Sequence, residues 1–235
     1  MSASPSRPSV SDPRVPLLLL LSATTGLVDA ASVLGLGKVF TANMTGNVVF
    51  LGFAAAGAPG FKVMPFVAAI ISFMIGATIA GRAGKAHVGK TERRWLLTAA
   101  AAEAALLWAA AGVAIGFDVA TQTPEVRLFA IIALTGLAMG FRNATIRQLK
   151  VADLTTTVLT LTLTGLGADS SAAGGSNPNW PRRIGAVLAI FVGAAIGAWL
   201  MVHVGIASPL ALAGALVLFG TMACSLHPAS AKLVS

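Results

Sequence analysis

Apolar residues run along this chain in long unbroken stretches, without the spacing that would bury only one face of a helix or strand. Stretches at 15–37, 63–81, 95–117, 184–202 and 204–226 each approach the ~20 apolar residues that an α-helix needs to cross the hydrocarbon layer. A sixth stretch, 128–141, is shorter and spans only if its helix continues past Arg142. Two more, 41–57 and 151–167, are half-apolar and rich in Thr, Asn and Gly. Their polar starts, TANMTGN (41–47) and VADLTTT (151–157), hold the residue types that cap helix N-termini. Each therefore reads as an extended lead-in, a cap and a short helix, or as an ordinary polar loop before one. Whether these two cross the membrane, or dip in and return, decides between eight spans and six.

Composition supports the membrane reading. Of 235 residues, 56% are hydrophobic and 10% charged, against about 45–50% and about 25% in soluble domains. Spanning helices can be apolar on every side, which accommodates the excess. The net charge of +8 needs no nucleic acid to explain it, because cytoplasmic loops collect Lys and Arg. With six spans and both termini inside, thirteen basic residues lie inside and only Lys38, Lys62 and Arg127 outside. With eight spans the split is nine against seven, which is no bias, so six spans with two re-entrant segments is the preferred topology. Arg142 enters this count as a loop residue. Residues 1–15 are Ser- and Pro-rich and read as a disordered cytoplasmic tail, with a short second tail at 228–235. The apolar stretch after the first tail runs too long for a signal-peptide core and reads as a first spanning helix. Cys224 is the sole cysteine, which excludes an internal disulfide and a Cys-based zinc cluster.

The chain also repeats itself. Residues 25–57 (TGLVDAASVLGLGKVFTANMTGNVVFLGFAAAG) align without gaps on 135–167 (TGLAMGFRNATIRQLKVADLTTTVLTLTLTGLG), with eight of 33 positions identical. Downstream, IGATIAG (75–81) resembles VGAAIGA (192–198). The order of features is the same in both halves, giving membrane repeats at 16–117 and 126–227. Three crossings per repeat turn the second upside down relative to the first. Inverted repeats with interrupted segments form a transporter and channel architecture.

The motifs GLVDAASVLGLGKVFTANMTGNVVFLG and GFRNATIRQLKVADLTTTVLTLTLTGL are similar to those of the YoaK-type family of small bacterial multi-pass membrane proteins. The resemblance covers nearly the whole chain from about Leu17. It implies a bacterial membrane location and, because the family is a domain of unknown function, no substrate.

Ionisable residues inside membrane segments are costly, so each needs a partner or a task. Asp29 lies well inside the first apolar stretch, Glu103 sits within TAAAAEAALLWAAA, and Arg142 with Asn143 follows the shortest span. Asp29 reads either as a static ion-pair partner of Arg142 or as a proton carrier; Glu103 reads as a packed, protonated residue or as a second carrier. The GxxxG from Gly193 to Gly197, with Gly76 to Ala80 as its counterpart, reads as close helix packing between the repeats. No zinc-protease, nucleophile-elbow or phosphate-loop motif is present, so no enzyme activity, metal or cofactor is expected.

The expected fold is all-α and polytopic, with six spanning helices, two re-entrant half-helices and two inverted repeats. The expected function is a small inner-membrane transporter or channel binding an unidentified small solute at the midplane. Its site would comprise Asn43, Thr45, Asn47, Asp153, Thr155 and Thr157, with Thr45 and Thr155 close together. The lipid bilayer is the expected partner, a homo-oligomer stays open, and nucleic acid is not expected. The alternative is a non-transporting membrane scaffold or assembly protein, in which the polar residues are internal glue.

Overall fold

The computed structural model describes residues 14–87, 89, 91–149 and 159–226. Eight α-helices follow in order: α1 (Arg14–Gly35), α2 (Met44–Ala55), α3 (Val63–Ala86), α4 (Glu92–Ala114), α5 (Glu125–Leu149), α6 (Leu159–Ala168), α7 (Trp180–His203) and α8 (Ala207–Ser225). Among the described residues six helices are long and apolar enough to cross a membrane, and α2 and α6 are shorter apolar helices. The 25-residue α5 continues past Arg142, which is the condition for its stretch to span. The all-α polytopic class expected from the sequence is the one observed.

Successive long helices alternate in direction. Gly35, ending α1, packs against Met201 near the end of α7 and Ile206 just before α8, and Gly37 meets Gln122 in the α4–α5 connection. These define a far face, where Arg127 also donates from Nη1 to the Ile115 carbonyl (2.6 Å). At the other end, Gln148 of α5 donates to Ala80 O of α3 (3.3 Å), and Gly185 and Gly220 pack on Leu19 and Leu20. Both ends of the described chain lie on this termini face. Of the described cations in loops and helix ends, Lys38, Lys62 and Arg127 sit at the far face. Arg82, Lys85, Arg93, Arg94, Arg147, Arg182 and Arg183 sit at the termini face.

Glycine permits the closest helix pairs. A Cβ on Gly26 of α1 would strike the backbone of Ile190 and Ala194 in α7, and one on Gly193 would strike Ala23. Gly76 of α3 is equally tight against Leu137 of α5, and Gly140 against Phe73. Small residues at these contacts let the backbones approach directly. The GxxxG glycines thus face α1 inside the chain. Both pairs run parallel, and they link the first long helix of one half to the second long helix of the other. When the halves are exchanged, α1–α7 maps onto α5–α3, α1–α8 onto α5–α4, and α2–α3 onto α6–α7.

The half-helix α2 starts inside the bundle. Asp29 Oδ1 accepts the Ala42 N–H at 2.9 Å and also takes the Thr41 N–H. Asp29 lies six residues before the end of α1, a depth of roughly 9 Å at 1.5 Å per residue. The chain dips to that level through residues 36–43, and α2 carries it back to the far face. There Gly57, at φ 76°, ends α2 with Ala58 N–H bonded to Phe53 O, a left-handed C-terminal cap. Phe50, Phe53, Phe61 and Phe66 pack around this end with centroids 5.2–6.4 Å apart. In the second half a charge pair takes the place of the aromatic cluster. Arg183 of α7 donates to Gly165 O at 2.8 Å and to Asp169 Oδ2 at 2.7 Å, holding the end of α6.

Candidate functional site

The buried ionic centre lies between α4 and α5. Alanines 99, 100, 104, 110 and 111 form much of the buried face of α4, so that helix lies close along α5 and brings Glu103 within reach. Gly136 and Gly140 turn one face of α5 to α3, which leaves Arg142 on the opposite face, toward α1 and α4. Glu103 is 4% exposed and Arg142 2%. Arg142 Nε donates to Glu103 Oε1 at 2.5 Å, and Nη2 is ion-paired with the same oxygen. Nη1 donates to the Leu21 carbonyl at 3.1 Å and to Thr25 Oγ1 at 3.2 Å. Thr25 Oγ1 in turn donates to Leu21 O. Such a pair persists in low dielectric because each charge has a partner and the guanidinium has further acceptors.

This geometry corrects the expected pairing of Asp29 with Arg142. The partner of Arg142 is Glu103, because α4 lies along α5 while α1 touches α5 at few points. Asp29 feels the charge of Arg142, but its carboxylate is occupied by the backbone of residues 41 and 42. Arg142 also leaves the loop-charge count, being inside the bundle. Asn143 donates to Met139 O at 2.9 Å along its own helix and is not a member of the pair.

The polar residues of 41–47 divide by role. Asn47 is fully buried, accepts the Phe40 N–H at 2.9 Å and donates to Phe40 O at 2.5 Å. It closes the lead-in loop, with Nδ2 also donating toward Met44 Sδ at 3.5 Å. Asn43 occupies the N-cap position of α2 without a side-chain cap bond, and its side chain, like that of Thr45, is exposed. The sequence predicts a cap somewhere in 41–47, and Asn43 does not form it; Asn47 and Asp29 bind the backbone of the lead-in at residues 40–42. Asp153, Thr155 and Thr157, and with them the proposed approach of Thr45 to Thr155, lie outside the described residues.

A cavity of about 30 Å³ lies over the ion pair, room for about two water molecules. Glu103, Arg142, Thr145 and Thr221 supply its polar lining, and Leu17, Leu21, Leu96 and Ile146 are among its apolar walls. Leu17, Leu96, Ile146 and Thr221 belong to helix ends on the termini face, so the cavity lies on that side of the pair. The far side is filled by the main core, including Val28, Leu36, Val39, Phe66, Ile131 and Ile132. None of Asn43, Thr45 and Asn47 lines the cavity. Thr25, Thr145 and Thr221 were not singled out from the sequence. For Thr25 a signal was present, since it opens the repeated TGL motif whose second copy starts at Thr135, which likewise bonds back to Ile131 O (2.6 Å).

Six apolar helices of spanning length around a buried ion pair define a multi-pass α-helical membrane protein. The chain belongs to the family described as "Protein of unknown function (DUF1275)", whose model matches residues 17–223. It is also similar to the UPF0700 transmembrane protein YoaK of Bacillus subtilis (strain 168), with 38% identity over 159 residues. That match covers 66% of this chain and 66% of the relative, so the chain spans just under two thirds of the relative's length. No solved structure matches the chain.

Proposed function

We propose that this protein is a small bacterial inner-membrane transporter, built from two inverted repeats, that moves a small solute past the Glu103–Arg142 pair by alternating access. The observation that carries the reading is the asymmetry about that pair: a cavity on the termini side and close-packed core on the far side. Buried ionisable residues inside membrane bundles mark substrate or proton pathways. The opposed directions of corresponding helices, and the exchange of helix contacts between halves, support the inverted repeat. In such architectures one repeat moves against the other to open the opposite face. The solute site moves from the half-helix starts to the cavity, because Asn47 and Asp29 are committed to backbone.

Flux into proteoliposomes across a broad solute panel tests the reading directly. Cysteine accessibility adds a second measure in a Cys224→Ser background, since Cys224 is the sole cysteine. Thr221→Cys should react from the termini side, and Val28→Cys should become reactive only when a transported solute cycles the protein. Vesicles that stay impermeable to every solute, with no change in reactivity at either position, would overturn it. A second reading, a non-transporting scaffold, draws on the use of Asn47 and Asp29 as internal fastening. It predicts that second outcome.

A further inference from the structure

Three polar groups on three different helices meet at the cavity without a complete set of protein partners. Glu103 Oε2 on α4 takes no hydrogen bond from any described residue. Arg142 Nη2 on α5, though ion-paired, has no acceptor in hydrogen-bond geometry. The Thr221 hydroxyl on α8 bonds to no described residue, although Thr221 is 3% exposed. A buried polar atom such as Arg142 Nη2 is overwhelmingly satisfied in folded proteins, and Glu103 and Thr221 line the same small polar cavity beside it, which has room for water or a small ion. Thr145, the other polar lining residue, is already committed to Phe141 O at 2.9 Å.

The charges restrict what fits. A cation faces the fixed guanidinium of Arg142. A lone anion faces the Glu103 carboxylate, which sits on the same guanidinium. The other buried charge near the pair, Asp29 on α1, is held by the Thr41 and Ala42 N–H groups; the remaining cavity lining on α1, α4, α5 and α8 carries no further charge. We infer that the cavity binds a small monoanion together with one proton: the proton goes to Glu103, and the anion takes the carboxylate's place against Arg142 Nη2 and the Thr221 hydroxyl. The charge inside the bundle is then the same before and after loading, so the low-dielectric cost of a net buried charge is avoided. At about 30 Å³ the site suits an anion of few atoms, such as a halide or a one-carbon carboxylate.

This inference rests on the proposed site but not on transport through it, so binding and flux are measured separately. Formate and chloride are the probes, and the readout is the thermal shift of the purified full chain in detergent. Wild-type protein should be stabilised by one or both in mildly acidic buffer, with the shift lost in mildly alkaline buffer. Glu103→Gln, which mimics the protonated acid, should bind the same anion equally in both buffers. Thr221→Val, which leaves the ion pair intact, should weaken binding roughly tenfold, the usual loss for a hydrogen bond to a charged group. Should Glu103→Gln not fold, the pH dependence of the wild type decides alone. An anion shift that is absent, or identical in both buffers, overturns the inference. Flux of a neutral solute or a cation without anion binding also overturns it while leaving the transporter reading intact. Proton-dependent anion binding without flux upholds the site and overturns transport.

Discussion

Arg142 depends largely on protein partners because it is almost wholly buried. Removing Glu103 alone, as Glu103→Ala, leaves an uncompensated guanidinium, a loss of about 3–5 kcal/mol for a buried pair. We expect a sharp drop in monodisperse protein by size-exclusion chromatography for Glu103→Ala, and substantial recovery in the double variant Glu103→Gln with Arg142→Gln. A double variant no better than the single one would argue against coupling. A milder case lies outside the membrane. The exposed Asp118 accepts the Thr121 hydroxyl at 2.8 Å and the Ala120 N–H at 2.8 Å. The Thr121 hydroxyl first, then the Thr121 and Ala120 amides, hold its carboxyl below the usual carboxylate range. A depressed folded-state pKa stabilises the turn at pH above the unfolded value, about 3.9. That contribution fades as pH falls through the folded value. Hydrogen exchange at Ala120 should therefore be unchanged across neutral pH and accelerate relative to intrinsic rates only below the ordinary carboxylate range. At this scale the sequence was legible as to which residues mattered and not as to who met whom. Two acids and one arginine in apolar helices are visible as a cost. Which acid reaches Arg142 depends on α4 approaching α5 through alanine, a tertiary fact with no local signature.

The elements were more legible. Unbroken apolar runs located five of the six long helices outright and the sixth on condition that it continue past Arg142, because length and polarity act locally. The half-apolar stretch at 41–57, left open between spanning and re-entrant, holds the short α2. The role of Asn47 was not legible, since a loop closed by one amide on one residue's N–H and C=O has no sequence period. It has a consequence, though. Asn47→Leu strands both Phe40 groups, and unsatisfied buried polar groups cost about 1–3 kcal/mol. We expect a lower melting temperature and faster proteolysis between residues 36 and 43, with the same outcome for Asp29→Leu. Asp29→Asn, which keeps an acceptor for Ala42, should be much milder. The glycines divide as clearly. Gly193→Val and Gly140→Val each drive a side chain into a neighbouring backbone and should abolish recoverable folded protein. Gly112→Ala on α4, where an added Cβ meets nothing, should be neutral or stabilising by up to about 1 kcal/mol. Equal tolerance at all three positions would mean that α1–α7 and α3–α5 are not packed as described.

Over the whole molecule the directions of the six long helices make a topology that reporter fusions can read. Fusions at Gly60 and Asp118 should report the far side of the membrane, and one at Gly175 the same side as both termini. A far-side signal at Gly175 would overturn the six-span topology. The interleaving of the halves also sets a schedule for synthesis. α1 finds its tight neighbour only when α7, beginning at Trp180, has been made, a delay of roughly ten seconds at ordinary elongation rates. Glu103 likewise waits in the bilayer for Arg142. During that interval the nascent chain holds a glycine-lined groove and an unpaired acid, both exposed to lipid and to quality-control proteases. Neither half is then a folding unit. Fragments 1–120 and 121–235, made separately, should each be degraded, while their co-expression should restore both by letting the grooves find each other. A stable 1–120 fragment would show that the first half is complete without the second.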